Sequence, residues 1–372
     1  MSGIRRCIFH FPGYIDPSGK SASSARPQKM LEAFQNIGFQ TDTVMGYGAD
    51  RKKQILQIKK NIENGVEYDF LYSESSTMPT AFTEKNHIPK YFFLDFSFFR
   101  YCKKQGIRIG LFYRDIHWMF DQYKKNVAWW KRLISVGLYR YDLRQYCRLL
   151  DVLFLPSLKM GGYLPKAFCK VRQKALPSGT EDCAIVKKKA AGETERPLRL
   201  LYIGGIGKEL YDIMNLIVGV HDYPQAELTI CCRETEWEEN RGRYAPYLDR
   251  SIKIVHQTGR QLDDLYQQAD LCCLIYTYSE YRNFAMPYKL FEYIGHQIPI
   301  LVTEGSAAAA FISEHDIGYC IEDHSAAVIA ALSYIHDHPE DLQKKSMRIA
   351  EIARKNTWKS RAEFAADCLR QK

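Results

Sequence analysis

The stretch from Leu271 to Val302 leaves the chain few folds to choose from. An apolar, strand-like run from Leu271 to Tyr276 is followed by Phe284-Ala-Met-Pro-Tyr-Lys-Leu-Phe-Glu292, which opens a helix ending near Gly295. His-Gln-Ile-Pro-Ile-Leu-Val then passes through Pro299 into a second apolar strand. Pro287 suits the first helical position, where its missing N–H costs nothing, and the exposed amides beyond it form a natural anion site. Lys289 adds positive charge to that first turn, and Glu292 offers a carboxylate to a diol such as a ribose. Strand, phosphate-ready helix start, carboxylate and second strand together describe a nucleotide site at the carboxyl edge of a parallel α/β sheet.

Pro287, Lys289, Leu290, Glu292 and Tyr293, followed by Gly295 and Pro299, resemble the donor-site signature of GT-B glycosyltransferases, in particular the retaining family 4. The resemblance implies two Rossmann-like domains facing each other across a cleft. Residues 1–178 would bind the acceptor and residues 179–357 the nucleotide sugar, with residues 358–372 forming a helix that packs back on the N-terminal domain. It assigns the ribose to Glu292 and places Tyr288 and Lys289 beside the donor. The family often carries a further glutamate eight positions earlier that touches the donor sugar; here that position is Phe284, and Glu280 lies four residues too early to replace it.

With 372 residues the chain suffices for two domains of common size. No apolar run approaches the roughly 18 residues of a spanning helix, and Ile4 to Phe11, interrupted by Arg5, Arg6 and His10, does not read as a signal peptide. The 11 cysteines include the neighbours Cys231-Cys232 and Cys272-Cys273, whose side chains leave a strand on opposite faces, and no Cys-x-x-Cys occurs. A reduced, cytoplasmic protein is expected. The net charge of +9 is uneven: residues 1–175 hold 29 Lys+Arg against 14 Asp+Glu, whereas residues 176–372 hold 23 against 29. The basic half calls for an anionic partner, and no nucleic-acid-binding module is recognisable.

In chain order, Ile4 to Phe11 predicts the first strand and Pro12 to Ser24 a long loop before a helix at Pro27 to Asn36. Gly13 and Arg26 in and after that loop are acceptor-side candidates, the alternative being a solvated loop. Glu74, just past a strand at Tyr68 to Tyr72, is a third. After the strand Arg108 to Tyr113 come Asp115 and His117, either a pair that orients an acceptor hydroxyl or a helix cap beside a structural histidine. From Trp118 to Leu150 aromatic and basic residues are mixed, the composition of a membrane-interface segment or of a core helix with a basic face. The second domain opens with Leu198 to Ile203 and Gly204-Gly-Ile-Gly207. That turn resembles the one facing the donor diphosphate in GT-B enzymes, with Gly205, Lys208 and Arg233 as candidate phosphate contacts.

These readings converge on a glycosyltransferase moving a sugar from a nucleotide sugar to a glycan or lipid-linked acceptor in cell-surface polysaccharide or glycoconjugate synthesis. The resemblance implies retention of configuration, and the absence of any Asp-x-Asp removes the usual carboxylate pair for a donor-bound metal. No metal or cofactor is therefore expected; the nucleotide sugar is a substrate, UDP-sugar favoured over GDP-sugar. Peripheral attachment to the inner face of the plasma membrane fits the basic half. The competing readings are a nucleotide-sugar epimerase of the same architecture and an inactive lipid- or nucleotide-binding protein.

Overall fold

The computed structural model describes residues 4–15, 22–181, 196–207, 211–277 and 279–371. The chain divides into two compact units, Met1–Ser178 with Trp358–Lys372, and Gly179–Thr357. The first unit runs β1 (Arg6–His10), α1 (Ala22–Asn36), β2 (Gln40–Val44), α2 (Gly48–Glu63), β3 (Phe70–Glu74), α3 (Leu94–Lys104), β4 (Arg108–Phe112), α4 (Asp121–Asn126), α5 (Trp129–Leu149), β5 (Val152–Leu155) and β6 (Arg172–Ala175). The second runs β7 (Leu198–Ile203), α6 (Met214–His221), β8 (Ala226–Cys231), α7 (Glu234–Tyr244), β9 (Ile252–Val255), α8 (Leu262–Gln268), β10 (Leu271–Leu274), α9 (Tyr288–Gly295), β11 (Ile300–Thr303), α10 (Ala307–His315), β12 (Gly318–Ile321), α11 (Ser325–Asp337) and α12 (Pro339–Lys355). The last helix, α13 (Trp358–Arg370), belongs to the first unit, where it packs on α1, β3 and β4.

The two sheets have six strands each, in the orders β2-β1-β3-β4-β5-β6 and β12-β11-β10-β7-β8-β9. Every described strand pair is parallel. Parallel strands need helical crossovers, so both faces are covered and the central strands are buried throughout, as β5, β10 and β11 are. Alternation divides the second unit's core in two: Leu200, Tyr202, Ile230 and Cys273 belong to one cluster, and Leu201, Ile203, Cys231 and Cys272 to the other. The cysteine neighbours thus lie on opposite faces, and every described cysteine is free. Where order reverses, between β1 and β3 and between β7 and β10, the chain leaves adjacent strands in opposite directions and opens a crevice at their carboxyl ends.

Several expected boundaries move. Glu74 lies inside β3, as its last residue, rather than past it, because the strand starts and ends two residues later than the apolar run. Pro287 sits one residue before the first helical position, as the extended N-cap of α9. In the aromatic and basic segment, Trp118, Tyr139 and Tyr146 are core residues. Trp118 stacks on Tyr139 with ring centroids 4.9 Å apart, and burial of that pair outweighs the amphipathic composition. Gly110 in β4 admits α13: a Cβ there would stand 2.9 Å from both Leu369 and Phe154.

A buried polar network ties β1 to β3, α2 and α3. His10 Nδ1 lies 2.8 Å from Ser73 Oγ, and His10 Nε2 lies 2.9 Å from Asp95 Oδ1. Arg51 clamps the same carboxylate from Nε at 2.9 Å and Nη2 at 3.2 Å, and donates from Nη1 to the Gly46 carbonyl at 2.6 Å. Burial lowers the His10 pKa below 6.5. With the imidazole neutral, Nε2–H donates to Asp95 and Nδ1 accepts from the Ser73 hydroxyl. Burial alone would raise the Asp95 pKa, but the His10 hydrogen bond and the Arg51 charge outweigh it and hold it below 3.8.

Removing Asp95 by Asp95→Ala would strand the Arg51 guanidinium, and the first unit should lose about 3–5 kcal/mol in urea unfolding; a loss below about 1 kcal/mol would contradict the network's role. The unfolded chain takes up a proton on His10 as pH falls through 6.5, while the folded chain resists it. This group's contribution is therefore present above 6.5 and declines as pH drops towards the folded value. In a His10→Gln variant the urea midpoint should depend less on pH between about 6.5 and 5.

Candidate functional site

In the second unit, the crevice between β7 and β10 gathers most of the expected donor residues at strand ends. Gly204 to Gly207 follow β7, where Tyr202 Oη donates to the Gly205 carbonyl at 2.7 Å and holds the turn back against its strand. A Cβ on Gly205 would stand 3.3 Å from both Glu236 Oε2 and the Tyr211 ring, so the turn is pressed between α7 and Tyr211. Glu236 links two candidates: its Oε2 accepts from the Ile206 amide at 3.3 Å and its Oε1 from Arg233 Nη1 at 2.9 Å. Arg233, just past β8, is otherwise solvent-exposed. Lys208 lies outside the described residues.

Helix α9 begins at Tyr288 and carries Leu290, Phe291, Tyr293 and Ile294 into the core, which leaves Lys289 and Glu292 on its partly exposed side. Lys289 Nζ is 2.7 Å from Glu292 Oε2. At the end of β8, burial raises the pKa of the Cys231 thiol, against its hydrogen bond to the Gln257 carbonyl at 3.3 Å and, more weakly, the charge of Lys289. Burial raises the Glu292 pKa above 4.5 despite the pull of Lys289. The Tyr293 hydroxyl lies 3.2 Å from the Ile203 amide and accepts from it, fixing α9 to the end of β7 just before the glycine turn.

Sequence reasoning missed Arg282. It is buried in the turn Glu280–Asn283, with its guanidinium 3.7 Å above the Tyr276 ring and 5.1 Å from that of Tyr211, the residue against Gly205. Its position between two strand-like signals, in a polar run, was the only hint. Phe284 is buried against Tyr281, with ring centroids 5.2 Å apart, and presents no polar group.

In the first unit, Arg26 and Glu74 pair at the carboxyl end of β3, whereas Gly13 follows β1 on the side of β2 and is not brought to them. The Gly13 carbonyl accepts from the Gly46 amide at 2.8 Å, and a Cβ on Gly13 would stand 3.2 Å from the Phe11 ring. Glu74 is fully buried; it accepts from Tyr72 Oη at 3.0 Å and pairs with Arg26 Nε at 3.2 Å and Arg114 Nη2 at 3.4 Å. Arg26, itself buried, lies 3.5 Å over the Phe112 ring and donates to the Leu176 carbonyl. Asp115 Oδ1 accepts from the His117 amide at 2.9 Å, while Oδ2 lies 3.4 Å from His117 Nδ1. The N-cap of the turn that follows is Ile116, not Asp115; both side chains stay partly exposed, and the His117 ring lies edge-on to Tyr123 and Tyr139, with centroids 5.3 and 6.1 Å away. Among the described residues no His, Cys, Asp or Glu cluster could hold a metal ion.

Residues 273–359 match the family described as glucosyltransferase 3-like, C-terminal domain, a segment that contains β11, α9 and the Lys289–Glu292 pair. No curated protein matches the sequence. Among solved structures, the chain is similar to sucrose-phosphate synthase from Thermosynechococcus elongatus, at 13% identity and TM-score 0.67 over 99% of both chains. It is similar also to HepE from Anabaena in complex with UDP, at 11% identity and TM-score 0.63 over 98% of this chain and 99% of that one. A third is WaaG, a glycosyltransferase involved in lipopolysaccharide biosynthesis, at 14% identity and TM-score 0.56 over 98% and 100%. Along its whole length, the chain has the fold of the GT-B glycosyltransferases.

Proposed function

We propose that the protein is a glycosyltransferase that moves a sugar from a UDP-sugar, bound on the second unit, to a glycan or lipid-linked acceptor bound on the first. The observation that carries this reading is the placement of Lys289 and Glu292 on α9, one hydrogen bond away from the strand that ends in the glycine turn. UDP is favoured because structures with this fold include HepE with UDP-glucose and a trehalose-6-phosphate enzyme from E. coli bound with UDP-2-fluoro glucose. In the transfer, the bond from the anomeric carbon to the diphosphate oxygen breaks and a bond to the acceptor oxygen forms. The acceptor's proton leaves with UDP. Charge on the departing diphosphate is met by helix amides, Lys289 and Arg233, without a metal, and retention of configuration follows from the family 4 resemblance. Asp115 and His117 orient the acceptor.

Glu292→Gln should weaken UDP binding by calorimetry about tenfold or more, since a charge-assisted hydrogen bond contributes about 1.5–3 kcal/mol, while the fold stays intact. Unchanged affinity would remove the ribose assignment. Lys289→Ala should weaken UDP far more than uridine, whereas equal losses would place Lys289 away from the phosphates.

The first unit's surface supports attachment to an anionic membrane. Trp129, Trp130, Leu133 and Ile134 at the start of α5 are 51–71% exposed and lie among Lys124, Lys125, Lys131 and Arg132. Among the described residues no helix is long and apolar enough to cross a membrane. Each basic residue near an anionic surface adds on the order of 1 kcal/mol, which salt screens, and the tryptophans add a part that salt does not. Sedimentation with anionic liposomes should therefore fall with salt, and fall to nothing at high salt in a Trp129→Ala/Trp130→Ala variant. An absence of pelleting at low salt would favour a soluble acceptor.

A further inference from the structure

In the second unit's crevice one carboxylate sits where a ligand anion would bind. The turn after β7 presents its amides at the carboxyl edge of the sheet, and two of them are committed to backbone: Gly204 donates to the Cys231 carbonyl and Gly207 to the Tyr211 carbonyl, each at 3.1 Å. Between them the Ile206 amide donates to a side chain, Glu236 Oε2, at 3.3 Å. The same oxygen lies so close to the turn that a Cβ on Gly205 would stand 3.3 Å from it. The second oxygen, Oε1, accepts from Arg233 Nη1 at 2.9 Å. A backbone amide on a glycine turn and a guanidinium beside it are the donors that a phosphate oxygen recruits. Glu236 already holds both.

The arrangement is reversible. The bond to Ile206 is longer than the usual N–H···O contact. Glu236 and Arg233 form an i,i+3 pair whose side chains are 25% and 73% exposed, so both can swing into water at small cost. A ligand anion reaching the turn must displace Glu236 or lie beside a like charge, and either way the loss of affinity grows with the ligand's charge. UDP ionises a second time on its terminal phosphate, with a pKa of about 6, whereas a UDP-sugar has that oxygen esterified. Glu236 therefore weighs more heavily against UDP than against a UDP-sugar.

We propose that Glu236 is a built-in competitor for the anion site on the glycine turn, one that favours the donor over the product and so speeds release of UDP. Its hold on the turn and on Arg233 stands on the hydrogen bonds alone; the donor and product roles rest on the glycosyltransferase reading.

The test is calorimetry on the full chain, without divalent cations, with uridine, UDP, UDP-glucose and pyrophosphate as probes. Glu236→Gln keeps an oxygen for the Ile206 amide and removes the charge. In this variant UDP should bind about threefold tighter or more, the size of a partly exposed ion pair, with UDP-glucose gaining less and uridine unchanged. Arg233→Ala should weaken UDP more in the Glu236→Gln background than in the wild type, because there the guanidinium is released. A residue that merely braces the turn would give the opposite sign. UDP binding unchanged or weaker in Glu236→Gln, or a gain no larger for UDP than for uridine or UDP-glucose, would therefore overturn the proposal. Pyrophosphate separates the two readings: tighter pyrophosphate binding in Glu236→Gln with no UDP binding to either protein keeps the competitor and overturns the donor reading, whereas no binding of either probe overturns both.

Discussion

A sheet whose strands all run one way delivers every strand's carboxyl end to a single edge, and the rest of this structure depends on that constraint. In each unit the strand order reverses once, beside β1 in the first and beside β7 in the second. Loops leaving neighbouring strands there diverge instead of packing over one another. The glycine turn, the start of α9 and the loop after β8 are thereby collected in one unit, and Phe11 to Tyr14, Ser75 to Thr77 and Arg114 in the other. The candidate chemistry is a consequence of topology before it is a matter of particular side chains.

Electrostatics then differs between the two crevices. In the second unit the charges are a neighbouring pair, Lys289 and Glu292, whose carboxylate burial already makes less acidic. A ligand diol that hydrogen-bonds to Glu292 would stabilise its ionised form. In the first unit the carboxylate of Glu74 is fully committed inside the protein and serves to hold Arg26 and Arg114 in place. The same residue type thus lies partly exposed beside Lys289 in one unit and organises buried cations in the other.

How much of this was legible in the sequence follows from the range of each interaction. The run β10–α9–β11 was readable because apolar strands, Pro287 and Pro299 are local signals, and the GT-B fold followed from the same residues. The short edge strand β6, Arg172–Ala175, was not, since its sequence is polar and its identity comes from pairing with β5. Helix α7 was hidden by its charge. Composition left Trp118 and Tyr139 open between a membrane interface and a core, and they prove to be core, because only tertiary packing shows that they stack. Arg361 had no signal at all: it donates from Nε to the Ser178 carbonyl at 3.2 Å through the return of α13 to the first unit, a contact between distant parts of the chain.

The central claim is that a uridine nucleotide sits on the second unit against the glycine turn and the start of α9. Hydrogen exchange of the full chain with and without UDP tests it most directly, because bound phosphates would protect amides at both places. The account predicts slowed exchange in peptides covering Gly204 to Gly207 and Tyr288 to Glu292, with the first unit's peptides little changed. Protection confined to the first unit, or none at saturating UDP, would contradict it.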